Sequence, residues 1–376
     1  MRRLFAVLTA AVIAFSIPVR AGAVGTSASC AILMDADSRR ILYAQNIYEA
    51  RLIASITKLM TALVAVEREP DLEQVVTIQP EWLGSEGSSI YLKPGEQITL
   101  KALLYGLLLQ SGNDAAMAIA CFVAGDEASF VELMNQKAWE LGMDHSSFAN
   151  PSGLNHEDHY STAYDMALLA CACLENETVA DICSTRTITI EGRTFANHNR
   201  LLYQYEGCVG MKTGYTERAG RTLVSAARRD GQTLVCVTLN DGNDWKDHAS
   251  LLDYGFSTYP RVILCEKGQT FGGLPVSGSL LTAVEAVAAR EVSFPLMEGE
   301  ELELEVNLTD AVQAPISAGT VMGIAWWKLN GQTVAYTDLV CASGAGLDLY
   351  EPDNWWDRLW SALRGHAEYG FGARLV

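Results

Sequence analysis

Beyond its first thirty residues the chain alternates between short apolar runs closed by turn residues and longer segments with helical spacing. Cys30 to Met34 and Arg40 to Tyr43 read as a hairpin closed by Asp35 to Arg39. After Ser55, the residues Leu59, Met60, Leu63 and Val64 form an apolar stripe with no Gly or Pro before Pro70, which predicts a helix starting at Ser55. Gly84 to Glu96, rich in Gly, Ser and Pro, predicts an irregular stretch. Helices are predicted over Leu100 to Leu109, Asp114 to Val123, Glu127 to Leu141 and Ala163 to Leu174. Thr162, with Asp165 three residues on, comes close to a capping box at the start of the last. Strand patterns then take over: Thr187 to Ile190 and Arg193 to Ala196 flank Glu191-Gly192, and Arg221 to Ala227 and Thr233 to Leu239 flank a turn at Asp230-Gly231. A helix from Trp245 to Phe256 closes this part. The pattern predicts an α+β unit, an antiparallel sheet with helices on both sides plus a helical cluster.

The character changes after Pro260. Glu301 to Leu308 alternates strictly between polar and apolar residues, which predicts a half-buried strand. Asn330-Gly331 between Ala325 to Leu329 and Thr333 to Tyr336 is a strong hairpin signal. Residues 261–349 therefore read as a small all-β domain without a catalytic constellation, serving as spacer or interaction module. In the tail, residues 350–376, a helical spacing puts Trp355, Trp356, Leu359, Trp360 and Leu363 on one face. Such an aromatic stripe suits a membrane interface, although the polar face lacks basic enrichment. At the other end, Arg2 and Arg3, the apolar run Leu4 to Ile17 and the small residues Ala21-Gly22-Ala23 read as a signal peptide over residues 1–23. The run is too short to span a bilayer, and residues 24–260 are left as the main domain.

Charge and cysteine usage narrow the partners. The chain has 27 basic and 45 acidic residues; without Arg2, Arg3 and Arg20 the balance is 24 to 45, a formal charge of −21. That surface repels nucleic acid and gives no electrostatic attraction to anionic lipid. Nine cysteines are many for an exported protein, yet most sit in apolar runs where a thiol serves as a small buried hydrophobe, so mostly reduced, buried thiols are expected. His156-Glu157-Asp158-His159 lacks the i, i+4 spacing of a zinc-protease motif, and no metal or cofactor is expected.

The chemistry lies in three short motifs in fixed order: Ser55-Ile56-Thr57-Lys58, Ser111-Gly112-Asn113 and Lys212-Thr213-Gly214. Only Lys58 among the lysines has a serine three residues before it, and only Asn113 among the asparagines has one two before it. A serine hydroxyl needs a neighbouring base. On a helix, residues three apart share a face, so Lys58 would lie beside Ser55. A lysine with its ordinary pKa of about 10.4 is protonated at neutral pH; it becomes a base through burial or a nearby cation such as Lys212. Ser111 and Asn113, in a loop between two helices, could carry a proton and orient Lys58. Lys212, ending the strand-like segment Gly207 to Met211, could receive an anionic end of the substrate. Each motif alone is also what a turn or a solvated lysine looks like; their joint occurrence favours catalysis.

This set is the pattern of penicillin-binding proteins and class A β-lactamases. With Asp114-Ala115-Ala116, Phe148-Ala149-Asn150-Pro151-Ser152-Gly153-Leu154, His159-Tyr160-Ser161-Thr162-Ala163 and Gly210-Met211-Lys212-Thr213-Gly214-Tyr215-Thr216, the chain from about Cys30 to Tyr259 resembles the D-alanyl-D-alanine carboxypeptidases. The resemblance implies a β-lactamase-like fold and the trimming of peptidoglycan stem peptides on the outer face of the cytoplasmic membrane. It further implies covalent capture of β-lactams and a peripheral C-terminal anchor on the membrane surface. Ser55 would be the acyl-ester nucleophile, Lys58 the proton acceptor, Ser111 and Asn113 its active-site partners. Lys212, Thr213, Gly214 and Tyr215 would bind substrate, and the Ser55 and Tyr215 amides would form the oxyanion hole. Two positions depart from the pattern: Tyr215 and Ser152 stand where relatives often have His. A β-lactamase would need a deacylating Glu-x-x-Leu-Asn segment, which is missing between Asn113 and Lys212. A D,D-endopeptidase would use the same site, whereas a wall-binding or β-lactam-sensing module would have no need for Lys58.

Overall fold

The structure, a computed structural model, describes residues 24–347 together with Trp356 and Leu359; residues 1–23, expected to form a signal peptide, and the rest of the tail lie outside the described residues. The chain divides into two compact units. One runs to Val262 and includes the short segment Pro295–Glu300; the other comprises Ile263–Phe294 and the residues from Glu301 onward.

In the first unit, β1 (Cys30–Asp35) and β2 (Ile41–Gln45) form the expected hairpin. There follow α1 (Lys58–Arg68), the short ribbon of β3 (Val75–Thr77) and β4 (Gln97–Thr99), α2 (Leu100–Leu109), α3 (Asn113–Ala124) and α4 (Glu127–Glu140). Next come α5 (Ala163–Glu175), α6 (Glu177–Ser184), the hairpin β5 (Thr187–Ile190) and β6 (Arg193–Ala196), and the single turn α7 (Leu201–Gln204). The long strands β7 (Cys208–Thr216), β8 (Gly220–Arg229) and β9 (Gln232–Leu239) lead into α8 (Asp244–Thr258). Five strands form one antiparallel sheet in the order β2-β1-β9-β8-β7.

The sheet is covered on both faces, so its central strands are buried along most of their length rather than alternating between buried and exposed positions. Along β1, Cys30, Ile32 and Met34 point into the helical cluster, while Ala31 and Leu33 point to the face closed by α8 through Leu251 and Leu252. The helix α1 is buried from Lys58 to Val66, more completely than the predicted stripe required, because helices and sheet surround it. Thr162 caps α5 as expected by accepting from the Asp165 N–H. The Asp165 carboxylate does not return the bond; buried, it accepts from the His145 N–H and the Ser146 hydroxyl. All nine cysteines are free, seven of them buried.

The second unit is built from strands: β10 (Arg261–Cys265), β11 (Thr270–Ser277), β12 (Ala283–Ala288), β13 (Val292–Pro295), β14 (Leu302–Leu308), β15 (Val312–Gln313), β16 (Val321–Leu329) and β17 (Gln332–Cys341). Strand β10 pairs with β13, and the others form a six-stranded sheet in the order β14-β16-β17-β12-β11-β15. Asn330-Gly331 makes the β16–β17 turn, both residues with positive φ, as the hairpin signal predicted. Strand β14 is less buried than its alternation predicted: it is the outermost strand, and only Leu302 and Leu308 at its ends reach the core. No described helix is long and apolar enough to cross a membrane.

Candidate active site

Ser55 lies on a 3-10 turn, Ala54–Thr57, that runs directly into α1 at Lys58. The helix thus begins three residues later than the sequence predicted. The tighter turn brings residues three apart into eclipse, and Lys58 Nζ stands 2.9 Å from Ser55 Oγ. Two glycines frame this turn. Gly153, at φ +85°, lies where an added Cβ would fall 2.0 Å from the Ala54 carbonyl oxygen. At Gly214 a Cβ would come within 2.4 Å of Thr222 Oγ1 and 3.0 Å of the Ser55 nitrogen, so the glycine of the third motif is what lets β7 pass against the Ser55 backbone. The Thr222 hydroxyl donates to the Ile53 carbonyl at 2.8 Å and ties β8 to the same segment.

Lys58 has no exposed surface. Its amine contacts three oxygens: Ser55 Oγ, Asn113 Oδ1 at 2.7 Å and the Ser152 carbonyl. Asn113 Oδ1 and the Ser152 carbonyl can only accept. A neutral amine satisfies both with its two N–H groups, and its lone pair then points at the one partner able to donate, the Ser55 hydroxyl. The electrostatics favour that neutral state. Burial, and then the positive charge of Lys212, push the Lys58 pKa well below its ordinary value, with Asp114 acting weakly the other way.

The Ser152 carbonyl is held by a loop built around Asn150. Asn150 Oδ1 accepts from the Ser152, Gly153 and Leu154 N–H groups and from the Ser152 hydroxyl, while Nδ2 donates to the Leu154 carbonyl. Thr61 of α1 clamps the same loop through the Pro151 carbonyl at 2.7 Å. Ser152 therefore meets Lys58 through its backbone, which is why the side chain there is free to depart from His. His159 supports the turn from below. Its Nδ1 accepts from the Ala149 N–H at 3.1 Å, so Nε2 carries the proton and donates to Thr57 Oγ1 at 2.8 Å, and the Thr57 hydroxyl donates to the Ala54 carbonyl. Burial lowers the His159 pKa to about 4, so the ring is neutral. His156, half exposed, takes no part, and the apparent zinc-protease motif dissolves into one surface residue and one buried one.

The second motif is set by the end of α2. Ser111 sits at φ +62°, just past the helix, where glycine is usual, and the Gly112 N–H bonds back to the Gly106 carbonyl at 3.1 Å. Among the described residues the Ser111 hydroxyl bonds no other motif residue. Asn113 fixes the irregular 84–96 stretch: its backbone N–H donates to the Ser88 carbonyl at 2.7 Å and its Nδ2 to the Glu86 carbonyl at 2.5 Å. Asp114 completes the clamp by accepting from Ser89 Oγ and from the Ile90 and Leu92 N–H groups.

Lys212 lies inside β7, not at a strand end, because the strand continues to Thr216. It is no solvated lysine: it is 1% exposed, and its amine donates to the Thr213 carbonyl at 2.9 Å, with no carboxylate in contact among the described residues. Burial brings its pKa down to about 7, with the nearby Cys183 thiol acting weakly in the opposite direction. Thr213 and Gly214 are half-buried, and Tyr215 projects its side chain outward at 65% exposure. Sequence reasoning missed Ser152 and His159 as parts of this arrangement: one acts through a backbone carbonyl, the other at one remove through Thr57.

The description D-alanyl-D-alanine carboxypeptidase matches residues 18–243, and penicillin-binding protein 5, C-terminal domain, matches residues 259–344. The chain belongs to the D-alanyl-D-alanine carboxypeptidase family. It is 33% identical over 323 residues to D-alanyl-D-alanine carboxypeptidase DacF of Bacillus subtilis, covering 82% of this chain and 83% of that one. With D-alanyl-D-alanine carboxypeptidase DacC of Escherichia coli it shares 32% identity over 361 residues, 91% and 89% of the two chains. Among solved structures, penicillin-binding protein 5 of Haemophilus influenzae superposes with a TM-score of 0.71 at 28% identity, over 86% of this chain and 98% of that one. A peptidoglycan synthesis regulatory factor, PBP3, of Streptococcus pneumoniae gives a TM-score of 0.77 at 26% identity, over 85% and 100%. The fold is that of these penicillin-binding proteins, helices and sheet followed by an all-β domain.

Proposed function

We propose that the chain is a serine-type D-alanyl-D-alanine carboxypeptidase that removes the terminal D-alanine from peptidoglycan stem peptides and is acylated by β-lactams. The observation that carries this reading is the Lys58 amine, buried, its pKa pushed well below the ordinary value, and turned by two carbonyls toward a serine hydroxyl 2.9 Å away. Ser55 attacks the carbonyl carbon between the last two D-alanines as its proton passes to Lys58. The C–N bond breaks, terminal D-alanine leaves carrying a proton returned through Lys58 and Ser111, and water hydrolyses the Ser55 ester. The Ser55 and Tyr215 amides receive the developing oxyanion, and Lys212 with Thr213 receives the terminal carboxylate. The buried, uncompensated amine of Lys212 suits an anionic group. The basic, apolar and small-residue signature of residues 1–23 supports export. The tryptophan stripe of the tail supports a peripheral seat on the outer face of the cytoplasmic membrane; Trp356 and Leu359, the two described residues there, are helical and exposed.

The test is labelling with a fluorescent penicillin followed by peptide mapping. Label is expected on the peptide containing Ser55 and is expected to vanish in Ser55→Ala; label at another residue of that variant would overturn the assignment. Lys58→Ala is expected to slow acylation by about 10²–10⁴-fold, the usual loss for a catalytic proton acceptor.

A further inference from the structure

The strand-built unit has an end poor in charge, with Asp310 at its border. In a chain with 45 acidic and 27 basic residues, no charged side chain falls between Lys267 and Glu285, between Asp310 and Lys328, or between Asp338 and Asp348. The sheet gathers these three distant segments. Val276 and Ser277 of β11 pair with Val312 and Gln313 of β15, and the Ala314 N–H donates to the Ser277 carbonyl at 2.8 Å. Ile316 and Ala345 exchange two backbone bonds of 2.9 Å, and the Gly319 N–H donates to the Cys341 carbonyl. A Cβ on Gly278 would touch Leu347 Cδ1 at 3.4 Å. The side chains this end turns to solvent are large and apolar: Leu280 is 85% exposed, Leu281 49%, Val321 60% and Leu347 48%. A groove of about 510 Å³ opens beside them in the 309–322 segment; Thr309, Gln313, Ser317 and Thr320 line it together with apolar residues including Val321 and Met322, and no charged residue does.

Contiguous apolar exposure of this kind marks an interaction surface, and two observations select the partner. An anionic lipid surface repels carboxylates, so in this acidic chain the part that lies against one must be cleared of them, as these three segments are. The chain also leaves this end at Leu347 and reaches Trp355 eight residues later, a span of at most about 28 Å. The tip bearing Leu280 and Leu281 thus lies on the same end as Leu347, within that chain length of the first tryptophan.

We propose that this charge-poor end of the strand-built unit, with Leu280 and Leu281 at its tip, is a lipid-contacting surface that seats in the interfacial layer of the bilayer beside the tail. It takes its location from the reading of the tail, and the test separates the two. The full-length chain is equilibrated with phosphatidylcholine–phosphatidylglycerol vesicles and compared with L280E/L281E and, as control, L304E on the opposite edge of the sheet; amide hydrogen exchange is followed in each. The charged pair is expected to lower partitioning about tenfold or more, since it removes two buried leucines, while L304E stays within about twofold. Peptides spanning residues 278–282 are expected to gain protection on vesicle binding. Unchanged partitioning in L280E/L281E, with protection confined to the tail, would overturn the proposal and leave the tail as sole anchor. A vesicle-free dimer that protects the same loop and dissociates in L280E/L281E would overturn it in favour of a contact between copies. Failure of the wild-type chain to partition would overturn both readings.

Discussion

Among the described residues neither Lys58 nor Lys212, both buried amines, has a carboxylate in contact, yet the proposed roles require opposite protonation states. Lys58 must be neutral to accept the Ser55 proton, and the charge on Lys212 is one of the two causes that keep it so. Lys212 must be charged to hold a carboxylate, although burial brings it down to about 7. An arriving carboxylate restores the lost charge balance and raises that value. The rate constant kcat/KM for an acid-terminated substrate is therefore expected to fall at low pH as Lys58 becomes protonated, and to fall again above about pH 7 as free Lys212 loses its proton. The C-terminal amide of the same peptide is expected to lack the alkaline limb, and Lys212→Ala to erase the difference. Superimposable pH profiles for acid and amide in the wild type would exclude the carboxylate role. Ser111 offers a second test at this scale. At φ +62° a non-glycine residue costs roughly 1–2 kcal/mol, whereas glycine costs about 0.5–1 kcal/mol of extra chain entropy. Ser111→Gly is thus expected to leave the melting temperature unchanged or slightly higher while lowering kcat at least about tenfold through loss of a proton carrier; a large loss of stability would show that Ser111 is a structural residue instead.

Between elements, the join of α8 to the sheet has a titratable centre. His248 of α8 is fully buried, its Nδ1 2.6 Å from Ser225 Oγ of β8 and its Nε2 2.9 Å from Thr238 Oγ1 of β9. Burial lowers its pKa to about 3. The unfolded chain protonates this ring below about pH 6.5 and the folded chain does not, so stability is full above pH 6.5 and is lost as pH falls toward 3. By pH 4.5 the loss from this residue is about 2–3 kcal/mol. Urea unfolding of His248→Asn is expected to show a pH dependence smaller by about that amount than wild type, and equal slopes would exclude the assignment. The sequence made this helix and its neighbours legible where periodicity ran long enough: α2, β5 and β6 coincide with their predicted bounds. It failed where a boundary depends on one side chain or an element is too short to show a period. Asn176 ends α5 and also caps α6 by accepting from the Val179 N–H, so two helices adjoin with no break in pattern. The turn α7 and the three-residue strands β3 and β4 are below the length at which a period can be counted. The same limit applied at the site. The motifs named Ser55, Lys58, Asn113 and Lys212, but the Ser152 carbonyl and the His159–Thr57 support act through backbone groups and folded proximity, which residue types alone do not encode.

At the scale of the whole molecule, charge and apolar surface pull in opposite directions. Without Arg2, Arg3 and Arg20 the chain carries 24 basic and 45 acidic residues, a formal charge of −21, and such a body is repelled by the anionic lipid toward which the tail is proposed to reach. On the proposed anchor, Trp355, Trp356, Leu359, Trp360 and Leu363 would oppose that repulsion with apolar burial of about 1.5–3 kcal/mol per side chain, an upper bound before the cost of ordering the segment. The two terms respond differently to salt. Repulsion between exposed charges is screened, with a Debye length of about 10 Å at 0.1 M and about 3 Å at 1 M, while apolar burial is not weakened. Binding of a chain lacking residues 1–23 to phosphatidylglycerol-containing vesicles is therefore expected to strengthen as salt rises, the reverse of what a basic anchor would do. A chain ending at Leu349 is expected to partition much less at every ionic strength. Co-sedimentation across a salt series reads both effects: release by salt would replace the hydrophobic anchor with an electrostatic one, and equal partitioning of the full and shortened chains would remove the tail from membrane contact.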